Sequence, residues 1–212
     1  MKNFLALCSV LLLVVLTSLN HAQALFEEHI IKENFKQTMS VSAIDLDKDG
    51  DTDVLGAAYE DNTIAWWEND GSQNFTLHII SNNFAGVRTT WADDLDRDGD
   101  IDVLGAAFTG NTIAWWENDG KQNFTQHNLS TSFTGAHTIY TVDLDKDNDL
   151  DIIASAWSTK GIHWWENDGS QNFTEHIITQ GGNQYPGVYF ADLDNDNDMD
   201  VIDCIWGNNQ VE

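Results

Sequence analysis

Asp45-Leu46-Asp47-Lys48-Asp49-Gly50-Asp51-Thr52-Asp53 sets five aspartates at alternate positions, and the chain returns to the pattern at Asp94 to Asp102, Asp143 to Asp151 and Asp192 to Asp200. Each copy starts 49 residues after the last. Carboxylates so close repel one another by roughly 0.8 kcal/mol per pair even in water at about 5 Å. A cation is needed among them. Oxygen-only donors on a short loop suit a hard ion that takes six to eight oxygens, which points to Ca²⁺ rather than zinc or copper.

Read position by position, the first, third, fifth and ninth residues offer side-chain oxygens and the seventh a backbone carbonyl. The sixth must turn sharply, often with positive φ. Gly50 and Gly99 meet that need without strain, and Asn148 and Asn197 are among the few other residues that tolerate it. The candidate metal residues are therefore Asp45, Asp47, Asp49, Asp51 and Asp53 in the first loop and Asp94, Asp96, Asp98, Asp100 and Asp102 in the second. The third loop supplies Asp143, Asp145, Asp147, Asp149 and Asp151, and the fourth Asp192, Asp194, Asp196, Asp198 and Asp200. Up to four Ca²⁺ are expected, one per loop. An EF-hand is excluded, because its twelfth position carries a bidentate Glu on an exiting helix. Here those residues are Gly56, Gly105, Ala154 and Asp203, and the flanks read as short buried strands.

The 49-residue period extends outward from the loops over the chain from Leu25 on, without insertion or deletion. Phe26 to Ile31 returns as Phe75 to Ile80, Phe124 to Leu129 and Phe173 to Ile178, and Trp66 to Gly71 returns as Trp115 to Gly120 and Trp164 to Gly169. Each unit reads as a strand entering the aspartate loop, a second such as Val54 to Tyr59, a third such as Ile64 to Asn69 and a fourth such as Phe75 to Ile80. Asn-Asp-Gly before Phe75 is a hairpin signal. Four antiparallel strands in 40 to 50 residues is the pattern of a propeller blade, so the fold class is all-β. Neighbouring residues of a strand face opposite ways, so Trp66 and Trp67 need apolar cover on both sides, as a blade between two others provides. These aromatics, and the periodic His29, His78, His127 and His176, are read as structural. The sequons at Asn74, Asn123 and Asn172 are read as turn residues.

These units, such as Trp91 to Leu104 followed by Thr112 to Gly120, resemble FG-GAP-like (VCBS-type) repeats, the calcium-loop propeller blades of integrin alpha chains and of many secreted bacterial proteins. The resemblance covers the whole chain after residue 24. It implies a Ca²⁺-binding propeller, with the first, third, fifth and ninth loop residues on the ion, and it implies no single activity. The Asn residues at the two later turns and the small number of blades depart from the family pattern.

Units fall at approximately 41–80, 90–129 and 139–178, preceded by an orphan fourth strand over 26–31 and followed by an incomplete unit over 188–212. A partial propeller is expected, part of a longer one, with a four-bladed ring or assembly from several chains as the other readings. The incomplete blade would expose Trp-rich edges and favour self-association.

Met1 to Ala24 reads as a signal peptide: Lys2, an apolar run from Phe4 to Leu16, and Ala22-Gln23-Ala24 before the cut. The run is too short to span a membrane, and Cys8 lies too early for a lipoprotein box. The expected location is secreted, extracellular or cell-surface, with the periplasm also open, and no membrane insertion follows removal of the signal. The remaining 188 residues suffice for one domain with a core. They carry 35 acidic against 8 basic residues. Even four bound Ca²⁺ leave a large negative charge, which excludes nucleic acid as a partner. Cys204 is the sole cysteine after residue 24, so no intrachain disulfide forms, and metal takes over that cross-linking role.

Function is sought where the repeats disagree. Met39, Arg88, His137 and Pro186 are equivalent, as are Ser42, Trp91, Tyr140 and Tyr189. Arg88, Trp91, His137, Tyr140 and Tyr185 are the candidate ligand-binding residues, on loops of the kind that carry propeller ligands. The expected function is a non-catalytic binding or adhesion module for a glycan or an extracellular protein. The alternative is the propeller part of a polysaccharide-degrading enzyme such as a lyase, which needs a base beside a group that neutralises a uronate. Arg88, His137, His163 and Tyr140 are its only non-periodic candidates. No Ser-His-Asp pattern, phosphate loop or zinc signature accompanies them, and no catalytic residue is assigned.

Overall fold

The computed structural model describes residues 28–158, 161–181, 184–206 and the backbone of 210–211. The signal segment predicted over 1–24 lies outside the described residues. The chain divides into a short N-terminal unit, residues 1–30, and a unit over 31–212 that holds all the sheets. Among the described residues no helix is long and apolar enough to cross a membrane.

Every strand pairs antiparallel with its neighbour in sequence. The first sheet is β1 (Thr38–Ile44), β2 (Asp53–Ala58), β3 (Thr63–Asn69) and β4 (Phe75–Ser81). The second is β5 (Val87–Asp93), β6 (Asp102–Ala107), β7 (Thr112–Asn118) and β8 (Phe124–Ser130). The third is β9 (Ala136–Val142), β10 (Asp151–Ala156), β11 (Ile162–Asn167) and β12 (Phe173–Thr179). The last has three strands, β13 (Gln184–Ala191), β14 (Asp200–Trp206) and β15 (Gln210–Val211). β1, β5, β9 and β13 contact one another in succession, and β2, β6 and β10 each pack on the first strand of the following sheet. This is the blade arrangement of a β-propeller.

The tandem tryptophans behave as their alternation requires. Trp115 enters a core with Phe133, Ile139 and Ile152 of the third sheet. Its neighbour Trp116 enters the opposite core, with Leu55, Ile64 and Trp66 of the first. Two adjacent residues thus anchor two interfaces. Gly105 shows why small residues sit in the second strands: a Cβ there would lie 2.9 Å from Phe84 and 3.0 Å from Trp116. The loop leucines Leu46 and Leu95 are buried in the same interfaces, which fixes the first two aspartate loops to their blades.

Among the described residues one expected strand is not seen. Glu28 to Ile31, the described part of the segment predicted as a strand over 26–31, has no strand conformation. Phe26 and Glu27 lie outside the described residues. A fourth strand needs a third strand as a template, and the third strand of the last sheet, β15, is two residues long.

Candidate functional site

Each aspartate loop joins the first strand of a sheet to the second. The ninth residue is the deepest: Asp53, Asp102 and Asp151 are 0 % exposed. Asp53 accepts the Leu46 amide on Oδ2 at 3.0 Å and the Asn69 amide on Oδ1 at 2.8 Å, tying the loop to the end of β3. Asp102 and Asp151 repeat both bonds, to Leu95 and Asn118 and to Leu144 and Asn167. Burial pushes the Asp102 carboxyl up to about 7, against the lowering pull of the Asn118 amide. Burial also raises Asp47, Asp53, Asp96, Asp145 and Asp151.

In the first loop the first, third and fifth residues each take one backbone amide. Asp45 Oδ2 accepts from Gly50 at 3.1 Å, Asp47 Oδ1 from Asp49 at 3.2 Å and Asp49 Oδ1 from Asp51 at 2.8 Å. These bonds hold the loop shape and leave a second oxygen on each carboxylate. The carboxylates converge in all four loops. Asp45, Asp47 and Asp53 bring ligand oxygens within 4.8 Å of one another, as do Asp94, Asp96 and Asp98, Asp143, Asp145 and Asp147, and Asp192, Asp194 and Asp200. Asp45 Oδ1 and Asp143 Oδ1 are buried and have no hydrogen-bond partner. An orphaned acceptor among like charges suits a hard cation, so the donor set fits Ca²⁺.

The sixth residues have positive φ, +100° at Gly50 and Gly99, 74° at Asn148 and 79° at Asn197. The fourth residues Lys48, Arg97, Lys146 and Asn195 do so as well, at 60–65°, which the sequence reading missed. Two of them reach the next loop: Lys48 Nζ donates to the Gly99 carbonyl, and Arg97 lies 3.5 Å from Asp149. The seventh residues Asp51, Asp100 and Asp149 turn their carboxylates away from the converging oxygens, against Gly71, Gly120 and Gly169 of the β3–β4 type turns.

In those turns Asn74 Nδ2 donates to Asp70 Oδ2 at 2.7 Å, with equivalents at Asn123 and Asn172. The histidines of the fourth strands stack on the first tryptophan of each pair and bond its glutamate. His127, for example, lies 4.6 Å from Trp115, ring to ring, and 2.8 Å from Glu117. Between the second and third sheets this wall faces Trp165, Phe173 and Glu175 across a cleft of about 780 Å³. Glu175 is held from behind by the buried His163, at 2.7 Å.

The five ligand-binding candidates separate into two groups. Tyr185 is buried, 3 % exposed, in the core between the third and last sheets, and so is removed from ligand contact. Trp91 donates its indole N–H to Thr141 Oγ1 at 2.9 Å and packs edge-on against Tyr140, which in turn meets Phe190. These two join adjacent blades, and burial raises the Tyr140 hydroxyl further above its ordinary value. Arg88 and His137 lie together at the end of the strands opposite the aspartate loops, with Arg88 Nη1 donating to His137 Nε2 at 2.9 Å. Burial, then the Arg88 charge, lowers His137 to about 4, so the imidazole is neutral and its Nε2 lone pair is engaged.

Around this pair lies a set that sequence reading did not assemble: Tyr59, Phe108, Trp157 and Trp206, each one 49 residues from the next. Their aromatic character was a signal hidden by their different identities.

The comparisons with known proteins agree with this architecture. A search of curated proteins finds none that matches. Among solved structures, an Agrocybe aegerita lectin described as recognising non-reducing terminal N-acetylglucosamine superposes with a TM-score of 0.56 at 19 % identity, over 79 % of this chain and 46 % of that one. The chain thus spans about half the length of that lectin, and at this identity the likeness shows the fold. The model for the FG-GAP-like repeat matches residues 32–93, 94–154 and 152–202. With most of its length so matched, the chain belongs to the FG-GAP-like repeat family.

Proposed function

We propose that the chain is an exported, calcium-held β-propeller module that binds a glycan without transforming it. The four converging aspartate loops carry this reading, with their orphaned acceptors at Asp45 and Asp143. Ca²⁺ would supply the positive charge that lets each loop close, held by the first, third, fifth and ninth aspartates and by the seventh residue's carbonyl. The chain's own residues do the rest. In the first three loops the ninth aspartate pins the loop to its third strand, and the leucines Leu46, Leu95 and Leu144 pin it to the interblade core.

Binding is favoured over lyase chemistry by the state of the candidate bases. His137 spends its free lone pair on Arg88, and Tyr140 is packed between Trp91 and Phe190. The test is retention of the folded chain on a broad glycan array in 1 mM Ca²⁺ and again in chelator. Calcium-dependent retention on a defined sugar family is the expected result. Retention of none, with the chain shown to be folded by circular dichroism, would transfer the reading to a protein ligand. Release of unsaturated uronate from any arrayed polysaccharide would overturn the non-catalytic assignment.

A further inference from the structure

The end of the strands opposite the aspartate loops carries a continuous arc of aromatic side chains around one guanidinium. Tyr59, Phe108 and Trp157 follow the second strands of the first three sheets, and Trp206 ends the second strand of the last. Three of them are fixed by their own backbone amides: Tyr59 donates to the Gln37 carbonyl, Phe108 to Gly86 and Trp157 to Gly135, at 2.8–3.0 Å. The Arg88 guanidinium lies over the Phe108 ring at 4.5 Å and the Tyr59 ring at 5.7 Å, and bonds His137. His137 stacks on Trp157 at 5.5 Å, and Trp157 meets Trp206 at 5.6 Å. Trp206 is 65 % exposed.

Arg88 stands out in a chain of formal charge −26. Among the described residues its partners are two aromatic rings and a histidine, with no carboxylate in ion-pair range, and its Nε is buried without an acceptor. Charge-assisted bonds from a guanidinium to a carboxylate are about twice as strong as neutral ones. Net charge does not cancel this. The aspartate loops lie a strand's length away, roughly 20 Å, against a screening length of about 8 Å at physiological salt. Nearer acids are the exposed Glu60, the half-buried Asp61, paired with Lys36, and the buried Asp203, three residues before Trp206.

We propose that this arc is the ligand face of the module, and that it takes an acidic saccharide, its sugar ring against Trp157 and Trp206 and its carboxylate at Arg88. The inference rests on the glycan-binding reading above and adds to it the face and the charge class.

A matched pair of probes tests it: cellobiouronic acid and cellobiose, which differ by one carboxylate, titrated calorimetrically into the calcium-loaded chain. The acid should bind at least tenfold more tightly. Arg88→Gln should abolish that difference, and Trp206→Ala, at an exposed position, should weaken both sugars together. Should Arg88→Gln fail to fold, Arg88→Lys keeps the charge without the planar fork and should lose part of the preference. Equal affinity for the two sugars, binding of neither, or a preference untouched by both the Arg88 and Trp206 variants would overturn the proposal. Array retention with equal affinities would leave the glycan reading standing and remove only this face and charge class.

Discussion

His137 shows how one residue's surroundings set a pH response. In the unfolded chain an imidazole titrates near 6.5; in the fold, burial and the adjacent Arg88 charge lower it to about 4. Between those values the unfolded state binds the extra proton, so the contribution of His137 to stability is fully present above pH 6.5 and is lost as pH falls toward 4. Melting curves from pH 7 to pH 5 should therefore fall more steeply for the native chain than for His137→Gln. Parallel curves would show that the imidazole does not remain neutral. At this scale the sequence was legible for the loops, where alternating aspartates and a residue tolerant of positive φ dictate one geometry. It was not legible for Tyr185 or Trp91. An aromatic in a variable connector reads the same whether its ring meets solvent or the next blade, and only the packing of β9 and β13 decides.

At the scale of the element, the aspartate loop and the hairpin after the third strand form one interlocked unit. Gly71 has φ +73°, and a Cβ there would lie 2.4 Å from Asp51 Oδ2. Gly71→Ala should therefore cost about 1–2 kcal/mol for the left-handed backbone and more for the collision. Truncating the partner in Asp51→Ala/Gly71→Ala should recover only the collision part. Denaturant titration of the two single variants and the double variant measures that coupling, and strict additivity would show that the carboxylate moves aside freely. Strand order and the tandem-tryptophan pattern followed from periodicity because each strand pairs with its sequence neighbour. The left-handed Lys48 and Arg97 escaped that reading, since their conformation follows from the Asx bonds on either side rather than from their own type.

For the whole molecule, the proposed calcium would offset the carboxylate repulsion and so set stability. With a Kd near 10⁻⁴ M, as in extracellular modules, 1 mM Ca²⁺ would stabilise by roughly 1.4 kcal/mol per site. Four loops together give about 5–6 kcal/mol, comparable with the net stability of a typical domain. Chelation should lower the melting temperature on the order of 10–20 °C, and Asp47→Ala should remove about one quarter of the calcium-dependent shift. An identical melting curve in chelator and in 1 mM Ca²⁺ would contradict the metal assignment.

The two-faced tryptophan pair has a consequence for how such a molecule changes length. The core that Trp66 enters on the second sheet matches in kind the core that Trp115 enters on the third, and among the described residues no strand pairs outside its own sheet. A duplication of 49 residues would insert a blade whose two sides are already complementary to its new neighbours, leaving every existing hydrogen-bond ladder untouched. Copy number is then a freely heritable variable, and selection can act on it separately from the identity of the residues in each connector.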